Sequence, residues 1–487
     1  MGRWLQYVSG TASVLLLIAS ISLLVAHVFQ NSVDVQVKEA AALKNGTDAF
    51  QAWKDPPPPV YMQFYFFNVT NPMEVLDGET PVVEEKGPYT YREYRPKEDV
   101  TFFDNGTKIS AVNPKTYIFE PGKSIGDPHV DLIRTVNIPA MTVMELTKYS
   151  SAKRIDEAGL LLAGCGEEMF VTHTVHEMLW GYRDCALAFI HPLVPSIDAN
   201  FGLFNKMNAT NDGEYVFLSG VDNYKDVSRI VKWRGLDALQ WWTSGSCNMI
   251  NGTDGTYFHP LISKDETLYL FSSDLCRSLY ALYESSVTVK GIPAYRFVPP
   301  AEVFANVTEN PDNAGFCVPA GNCLGSGLLN VSKCKQDAPI ILSPPHFYQA
   351  DKKFVTDIDG MHPNKEDHET FLDINPLTGI LVRAAKRMQV NVYVRQIPGF
   401  SIPGNIKTLV FPVMYLNENV EIDEESSEKL KSILRVGSVV VNIPFMIMAV
   451  GIVFGIIFIV VTCRGHGLYP RKEEGTPEDT GPLIRTS

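Results

Sequence analysis

The cysteines are the residues of this 487-residue chain whose spacing says most about its chemistry. Seven of the eight lie between two long uncharged runs, at Cys165, Cys185, Cys247, Cys276, Cys317, Cys323 and Cys334. In an oxidising compartment most of them pair, and an odd number leaves one thiol free or paired between two chains. A zinc site is disfavoured, because no Cys-x-x-Cys pair and no histidine at ligand spacing is present. The cysteines therefore predict a disulfide-bonded domain outside the cytosol, and they leave a homodimer open.

The Asn-x-Ser/Thr sequons, which are acceptor sites for N-linked glycans, are confined to the same part of the chain as most of the cysteines. They occur at Asn45, Asn68, Asn105, Asn208, Asn251, Asn306 and Asn330, all between the two uncharged runs. One sequon is weak evidence, since the pattern arises by chance. Seven in one segment and none outside it predict N-linked glycans on a segment that faces the lumen or the cell exterior.

Two histidines stand close together in the block THTVHEMLWGYRD, which begins at Thr172. His173 and His176 with Glu177 form H-x-x-H-E, which is not a zinc-protease motif. His173 and Glu177 would share one face of a helix, where capping or a surface role is favoured over metal binding. Because the ordinary pKa of histidine is about 6.5, both histidines are candidates for sensing an acidic compartment.

Motifs of catalysis and cofactor binding are absent from the sequence. There is no G-x-S-x-G, no phosphate-binding P-loop and no G-x-G-x-x-G. The net charge of −13 also argues against nucleic-acid binding, which needs a basic surface. We therefore expect no enzymatic activity, no metal and no cofactor.

The last residues of the chain carry an acidic residue followed by a Leu-Ile pair: Asp479, Leu483 and Ile484. Two adjacent aliphatic residues in a short polar tail have no core to join, so a partner with an apolar pocket and a basic site can bind them. Such D/E-x-x-x-L-[LI] motifs direct membrane proteins to endosomes and lysosomes through clathrin adaptor complexes. The tail therefore predicts a lysosomal and late endosomal membrane protein.

Two uncharged runs, 7–29 and 436–463, must hold these groups on opposite sides of a membrane. As helices they measure about 35 Å and about 42 Å, enough for a bilayer core of about 30 Å. A cleaved signal peptide is the alternative for the first run, but His27 to Phe29 stand where a small-residue cleavage site belongs. We predict two membrane helices, cytosolic ends at 1–6 and 464–487, and a luminal domain at 30–435.

The middle of the chain alternates short apolar runs with turn residues. Examples are VYMQFYFFNVT from Val60, MQVNVYVRQI from Met388 and TLVFPVMYL from Thr408. Their aromatic and β-branched content predicts an antiparallel sheet or barrel rather than βαβ units.

One helical segment, about 151–192, interrupts the strands. Its apolar residues recur at steps of three or four: Ile155, Ala158, Leu162, Cys165 and Met169. Leu160 and Leu161 fall off this face, either as exposed contacts or as part of a second buried face. Cys165 and Cys185 lie in its two halves, where they form either a disulfide or two buried thiols.

Several blocks resemble the CD36 family of scavenger receptors, and the likeness covers nearly the whole chain. They are NPMEVLDGETPVVEEKGPYTYREY from Asn71, THTVHEMLWGYRD from Thr172, FHPLISKDETLYLFSSDLCRSL from Phe258 and GMHPNKEDHETFLDINPLTG from Gly360. The PLIRT ending and the block FCVPAGNCLGSGLLNVSKC are similar to the lysosomal branch of that family.

This resemblance implies a mainly β fold with α elements: a luminal antiparallel β-barrel with a helical apex and an internal tunnel that passes lipids. It implies the disulfides Cys276–Cys334 and Cys317–Cys323. It also implies membrane lipids as partners, with cholesterol or phospholipid bound in the tunnel, so that a scavenger-type lipid receptor is the alternative function.

The leading function that the resemblance implies is carriage of a hydrolase. The helical apex binds acid β-glucosidase (glucocerebrosidase) in the neutral secretory pathway, and the receptor releases it in the acidic lysosome. The expected partner-binding residues are Ile155, Leu160, Leu161, Leu162, Met169, His173 and His176. The segment DEAGLLLAGCGEE departs from the family pattern through its three glycines, its acidic pair and Cys165.

Overall fold

The computed structural model describes residues 2–195, 197–335 and 337–467. They form two compact units: the residues up to Gln36 together with those from Ser432, and Val37–Lys431. The bounds of the second unit nearly match those of the predicted luminal segment, 30–435.

Helices and strands alternate along the chain. The α-helices are α1 (Gly2–Val25), α2 (Val28–Ala41), α3 (Asp48–Lys54), α4 (Pro72–Leu76), α5 (Ile138–Thr147), α6 (Ala152–Cys165), α7 (Val175–Trp180), α8 (Cys185–Ile190), α9 (Lys352–Thr356), α10 (Lys365–His368), α11 (Glu424–Val441) and α12 (Ile443–Gly467). The strands are β1 (Val60–Val69), β2 (Val83–Tyr94), β3 (Glu98–Phe103), β4 (Lys108–Val112), β5 (Thr116–Phe119), β6 (Leu132–Val136), β7 (Phe170–Thr174), β8 (Tyr182–Arg183), β9 (Asn200–Phe201), β10 (Glu214–Leu218), β11 (Ile230–Trp233), β12 (Leu268–Ser272), β13 (Arg277–Val289), β14 (Ile292–Val298), β15 (Leu329–Asn330), β16 (Ile340–Ser343), β17 (Phe371–Ile374), β18 (Leu381–Val394) and β19 (Leu409–Glu421).

In the first unit, α1 and α12 pack against each other. The Gln6 amide Nε2 donates a hydrogen bond to the Thr462 hydroxyl at 2.7 Å. A Cβ on Gly10 would lie 2.9 Å from the Phe458 ring, so the glycine lets the two helices approach closely. Small and hydroxyl residues are typical of contacts between membrane helices.

Among the residues that the structure describes, two helices are long and apolar enough to span a membrane, over Trp4–Val25 and Ile443–Arg464. The first span begins and ends earlier than the predicted 7–29. The predicted 436–463 run is not one helix, because α11 ends at Val441 and α12 begins only at Ile443. Pro444 lies in the first turn of α12, where its missing N–H costs no hydrogen bond.

In the second unit, one sheet of eleven strands is the main element. Its order is β12-β13-β14-β17-β18-β19-β1-β2-β5, with β16 also pairing β18 and β15 pairing β16. All of its ladders are antiparallel, and the predicted runs at Val60, Met388 and Thr408 form β1, β18 and β19. Among the described residues the edge strands β12 and β5 do not pair with each other, so closure into the expected barrel is not observed.

The core of this unit lies against the central strands. Phe64, Phe66 and Phe67 of β1 and Phe411 of β19 are fully buried. Every residue of β19 from Leu409 to Leu416 is buried, so both faces of the sheet are covered at its centre. This packing fixes the positions of the loops and helices attached to the sheet.

The helical segment predicted at 151–192 is less continuous than expected. Its first half is α6, but its second half contains β7, α7, β8 and α8. Thr174 and Glu177 form a capping box that starts α7, and Gly181, at φ 114°, ends it. The side chain of Asp184 accepts a hydrogen bond from the N–H of Leu187 and so begins α8.

Candidate functional site

Helices α5, α6 and α8 pack against one another as a three-helix cluster. Asn137 begins α5, because its Oδ1 accepts a hydrogen bond from the N–H of Ala140 at 3.0 Å. Its Nδ2 donates to Glu167 Oε2 at 2.7 Å. The same side chain thus ties the start of α5 to the segment that follows α6.

A disulfide between Cys165 and Cys185 joins the end of α6 to the start of α8. The sequence had left a disulfide and two buried thiols open at these positions. Gly166 ends α6 in the left-handed conformation, at φ 70°, which a residue with a side chain adopts only with strain. The cluster is therefore closed covalently as well as by packing.

Two further disulfides lie elsewhere in the same unit. They are Cys276–Cys334 and Cys317–Cys323, the pairs that the family resemblance implies. The remaining cysteine, Cys247, is a buried free thiol that contacts the carbonyl of Asp312. Because it is buried, it cannot link two copies of the folded chain.

Replacing both Cys165 and Cys185 with serine is expected to destabilise the domain by about 3 kcal/mol. The bond closes a loop of 20 residues, and loss of such a link mainly enlarges the unfolded ensemble. Thermal unfolding of the full chain in detergent measures the effect. Cys463→Ser is the matched control, since Cys463 is an exposed free thiol. An unchanged unfolding midpoint in the double variant would show that the bond contributes nothing.

Several large apolar residues on and just after the helices of this cluster are exposed to solvent. Leu160 on α6, Phe189 on α8 and Leu193 just after α8 are 74%, 64% and 76% exposed. We call these three residues the cluster surface. A soluble monomer rarely exposes several large apolar side chains on one small element without a partner.

The other predicted partner-binding residues differ in position. Leu162 and Met169 are buried in the core, so they support the cluster and cannot contact a partner; the prediction for these two is wrong. Ile155 and Leu161 are half-buried, and Ile155 packs against Gly399. Of the two leucines that fell off the buried face, Leu160 is the exposed one.

His173 lies on β7 and His176 on α7, between α6 and α8 in the chain. His173 stacks on the ring of Tyr182 with centroids 3.8 Å apart, and its Nδ1 lies 3.4 Å from Glu177 Oε2. The carboxylate of Glu177 accepts hydrogen bonds from the N–H and hydroxyl of Thr174, which lowers its pKa. The predicted capping role at this position is therefore confirmed for Glu177.

His176 has a partner that the sequence did not indicate. Its ring stacks on that of His129 with centroids 4.0 Å apart, and its backbone N–H donates to the carbonyl of Pro128 at 2.7 Å. Burial, and then the charge of His129, lower the pKa of His176 below its ordinary value. No periodicity links residues 47 positions apart, so only the folded chain reveals this pair.

Acid should therefore loosen this part of the structure. A histidine whose folded pKa lies below its unfolded value of about 6.5 favours the neutral form in the fold. The stability that it contributes is complete above that pH and is lost as the pH falls.

A cavity of about 220 Å³ lies inside the second unit. Apolar side chains line one part of its wall, among them Leu270, Phe271, Leu279 and Phe304. Charged side chains line another part: Arg95, Lys97, Lys115, Asp254, Asp274, Lys386 and Glu418. Such a wall suits a molecule with an apolar body and a polar end.

Most of these charges are paired. Lys97 lies 3.1 Å from Asp254, and Lys386 lies 2.6 Å from Asp274 and 3.5 Å from Glu418. Lys386 is the main cause of the strongly lowered pKa of Asp274. Pairing holds these carboxylates ionised in spite of their burial.

Sequence similarity to known proteins identifies the family of this chain. The sequence pattern of the CD36 family matches residues 11–462. The chain belongs to the CD36 family. It is 56% identical to lysosome membrane protein 2 of Mus musculus over 486 residues, which is all of both chains, and equally identical to that of Homo sapiens. It is 34% identical to scavenger receptor class B member 1 of Sus scrofa over 456 residues, 93% of this chain and 88% of that one.

Membership of the CD36 family makes the chain a membrane receptor. The family resemblance inferred from the sequence is thereby confirmed. Within the described part of the chain no group of three or more His, Cys, Asp or Glu residues is placed to hold a metal. The seven sequon asparagines are exposed or half-buried, and their glycans remain a prediction. Asp479, Leu483 and Ile484 lie outside the described residues.

Proposed function

We propose that this CD36-family receptor binds acid β-glucosidase through the cluster surface and carries it to lysosomes. The observation that supports this proposal is the exposure of Leu160, Phe189 and Leu193 on a cluster closed by a disulfide. Buried aromatic and aliphatic anchors supply most of the energy at protein interfaces. The similarity to lysosome membrane protein 2 supports the lysosomal address.

Release in acid is assigned to the His129–His176 pair. Its rings lie against each other, and protonation of His176, which the fold disfavours, would separate them in acid. A second stacked pair, His346 and His368, is buried in the main body. Burial, and then the charge of His346, lower the pKa of His368 to about 4, so this ring stays neutral at lysosomal pH.

The proposal is tested with the full chain in lipid nanodiscs and purified acid β-glucosidase at neutral pH. Saturable binding is expected, with one hydrolase for each copy of the receptor. Absence of binding under these conditions would refute the carrier function and leave the family membership untouched.

Sorting through the tail is proposed separately, with clathrin adaptor complexes as partners and both termini in the cytosol. Replacing Leu483 and Ile484 with alanine should remove the apolar contact and leave most of the receptor at the cell surface. Surface biotinylation measures this fraction. Thr480→Ala is the control, since it lies between the acid and the aliphatic pair. Unchanged lysosomal location of the double variant would contradict the sorting signal.

A lipid receptor is the second candidate function, and the cavity favours it. Its apolar wall offers a place for the hydrocarbon part of cholesterol or a phospholipid. Transfer of lipid would require this cavity to connect with the membrane. The two functions use different surfaces of the second unit and can coexist.

A further inference from the structure

An exposed apolar face lies on β12 and β13, on the side opposite the cavity. Leu270 and Leu279 line the cavity, and because side chains alternate along a strand, Tyr269, Tyr280 and Leu282 point the other way. The two tyrosines are paired across the strands, with ring centroids 6.3 Å apart. Tyr269 and Leu282 are 46% and 39% exposed. We call Tyr269, Tyr280 and Leu282 the tyrosine face; such an uncharged exposed face indicates that something covers it.

The sequon residue Asn251 is held at one end of the tyrosine face. Ser278 precedes Tyr280 by two residues, about 7 Å along the strand, so its side chain lies on the same side of β13. Its hydroxyl accepts a hydrogen bond from the N–H of Asn251 at 2.9 Å and donates one to the carbonyl of Met249 at 2.9 Å. The segment 249–251 therefore lies on the side of β13 that carries the tyrosine.

Gly252 brings the sequon against the backbone of Tyr269. A Cβ at this position would lie 2.1 Å from the carbonyl carbon of Tyr269, and the φ of 94° also favours glycine. The next residue, Thr253, donates its N–H to the same carbonyl at 3.1 Å. The sequon is thus fixed to both strands of the tyrosine face, to β12 through Tyr269 and to β13 through Ser278.

The side chain of Asn251 is available to carry a glycan. Asn251 is half-buried, and in the described part of the chain its side-chain amide forms no hydrogen bond. The amide of another sequon residue, Asn330, instead donates to the carbonyl of Val318 at 3.1 Å. A glycan on Asn251 therefore breaks no side-chain hydrogen bond of the fold.

We propose that the N-linked glycan of Asn251 lies over the tyrosine face, with its first sugars packed on the rings of Tyr269 and Tyr280. A sugar ring carries C–H groups on its faces and hydroxyls at its rim, so it covers an aromatic ring while its hydroxyls stay hydrated. The attached glycan shields this face from other proteins. The inference needs only the luminal location of the domain and is independent of the hydrolase and lipid functions.

Hydroxyl-radical footprinting of the full chain, made in mammalian cells and placed in lipid nanodiscs, tests the contact. Mass spectrometry establishes the glycan on Asn251 and measures the oxidation of Tyr269 and Tyr280. N251Q, which lacks the glycan, should raise this oxidation at least about threefold, because covered rings become accessible to solvent. N45Q is the matched control: it removes another exposed sequon and should leave the oxidation of both tyrosines unchanged.

Release of the glycan from the folded protein by a peptide N-glycosidase gives a second measurement, which stands even if N251Q fails to fold. In Y269S the glycan of Asn251 should be released at least about threefold faster than in the unaltered protein, with release from Asn45 unchanged. Absence of a glycan on Asn251 overturns the inference. Equal oxidation of the tyrosines with and without the glycan also overturns it, and leaves the face open to a protein partner.

Discussion

Aspartate at both Leu160 and Phe189 is expected to weaken binding of acid β-glucosidase at least about 30-fold at neutral pH. Each side chain is largely exposed, so the fold should tolerate the change. Loss of a central apolar anchor typically costs about 2 kcal/mol or more, and 1.4 kcal/mol is a tenfold change in affinity. Biolayer interferometry with the full chain in nanodiscs measures the dissociation constants.

The control for this pair is Leu282→Asp. Leu282 is an exposed leucine of β13, 39% exposed, outside the three-helix cluster. It should leave binding unchanged although it adds a negative charge, as each substitution of the double variant does. An affinity of the double variant within about threefold of the unaltered receptor would place the hydrolase on another surface.

Lys386→Met is expected to lower the free energy of unfolding by about 3 kcal/mol or more. The substitution leaves the Asp274 carboxylate without its 2.6 Å partner, and Glu418 keeps only Arg95. Breaking a buried ion pair on one side typically costs about 3–5 kcal/mol. Thermal unfolding in detergent at neutral pH provides the comparison.

The pH dependence gives this prediction a second readout. Burial raises the pKa of Glu418, but Lys386 and Arg95 outweigh it and bring the value to about 2. A lowered carboxylate pKa gives stability that is present above about pH 4.5 and is lost as the pH falls toward 2. The ion pairs of Glu418 with Lys386 and Arg95 therefore persist at lysosomal pH. In Lys386→Met, the free energy of unfolding should fall less on acidification than it does in the unaltered protein.

Lys290→Met is the matched control for Lys386→Met. Lys290 lies 3.7 Å from both Glu421 and Glu424 in solvent-exposed pairs, which typically contribute less than about 1 kcal/mol. If the two lysine variants lose the same free energy of unfolding, the buried ion pairs of Lys386 contribute no more to stability than the solvent-exposed pairs of Lys290.

Sequence patterns predicted the strands well, because β1 and β19 carry unbroken aromatic and β-branched runs between turn residues. They missed α5, since Ile138 to Met144 are all buried and leave no polar face to mark a helix. They also merged β7, α7 and α8 into one helix, because the stop at Gly181 depends on a backbone conformation rather than on periodicity.

The candidate sites were predictable only in part. Leu160 was identified as off the buried face, and its exposure follows from helical geometry. His129 and His176, or Lys386 and Asp274, meet only because distant strands and loops converge in the fold. The strand pattern left a sheet and a barrel open, the family resemblance implied the barrel, and closure is not observed among the described strands.

The central claim is that this receptor captures acid β-glucosidase at neutral pH and releases it in acid. The most direct measurement is the dissociation constant of the unaltered full chain for this hydrolase at about pH 7 and at about pH 5. We predict saturable binding at the higher pH and at least about tenfold weaker binding at the lower pH, since protonation of His176 disrupts its stacking on His129. No binding at either pH would contradict the account.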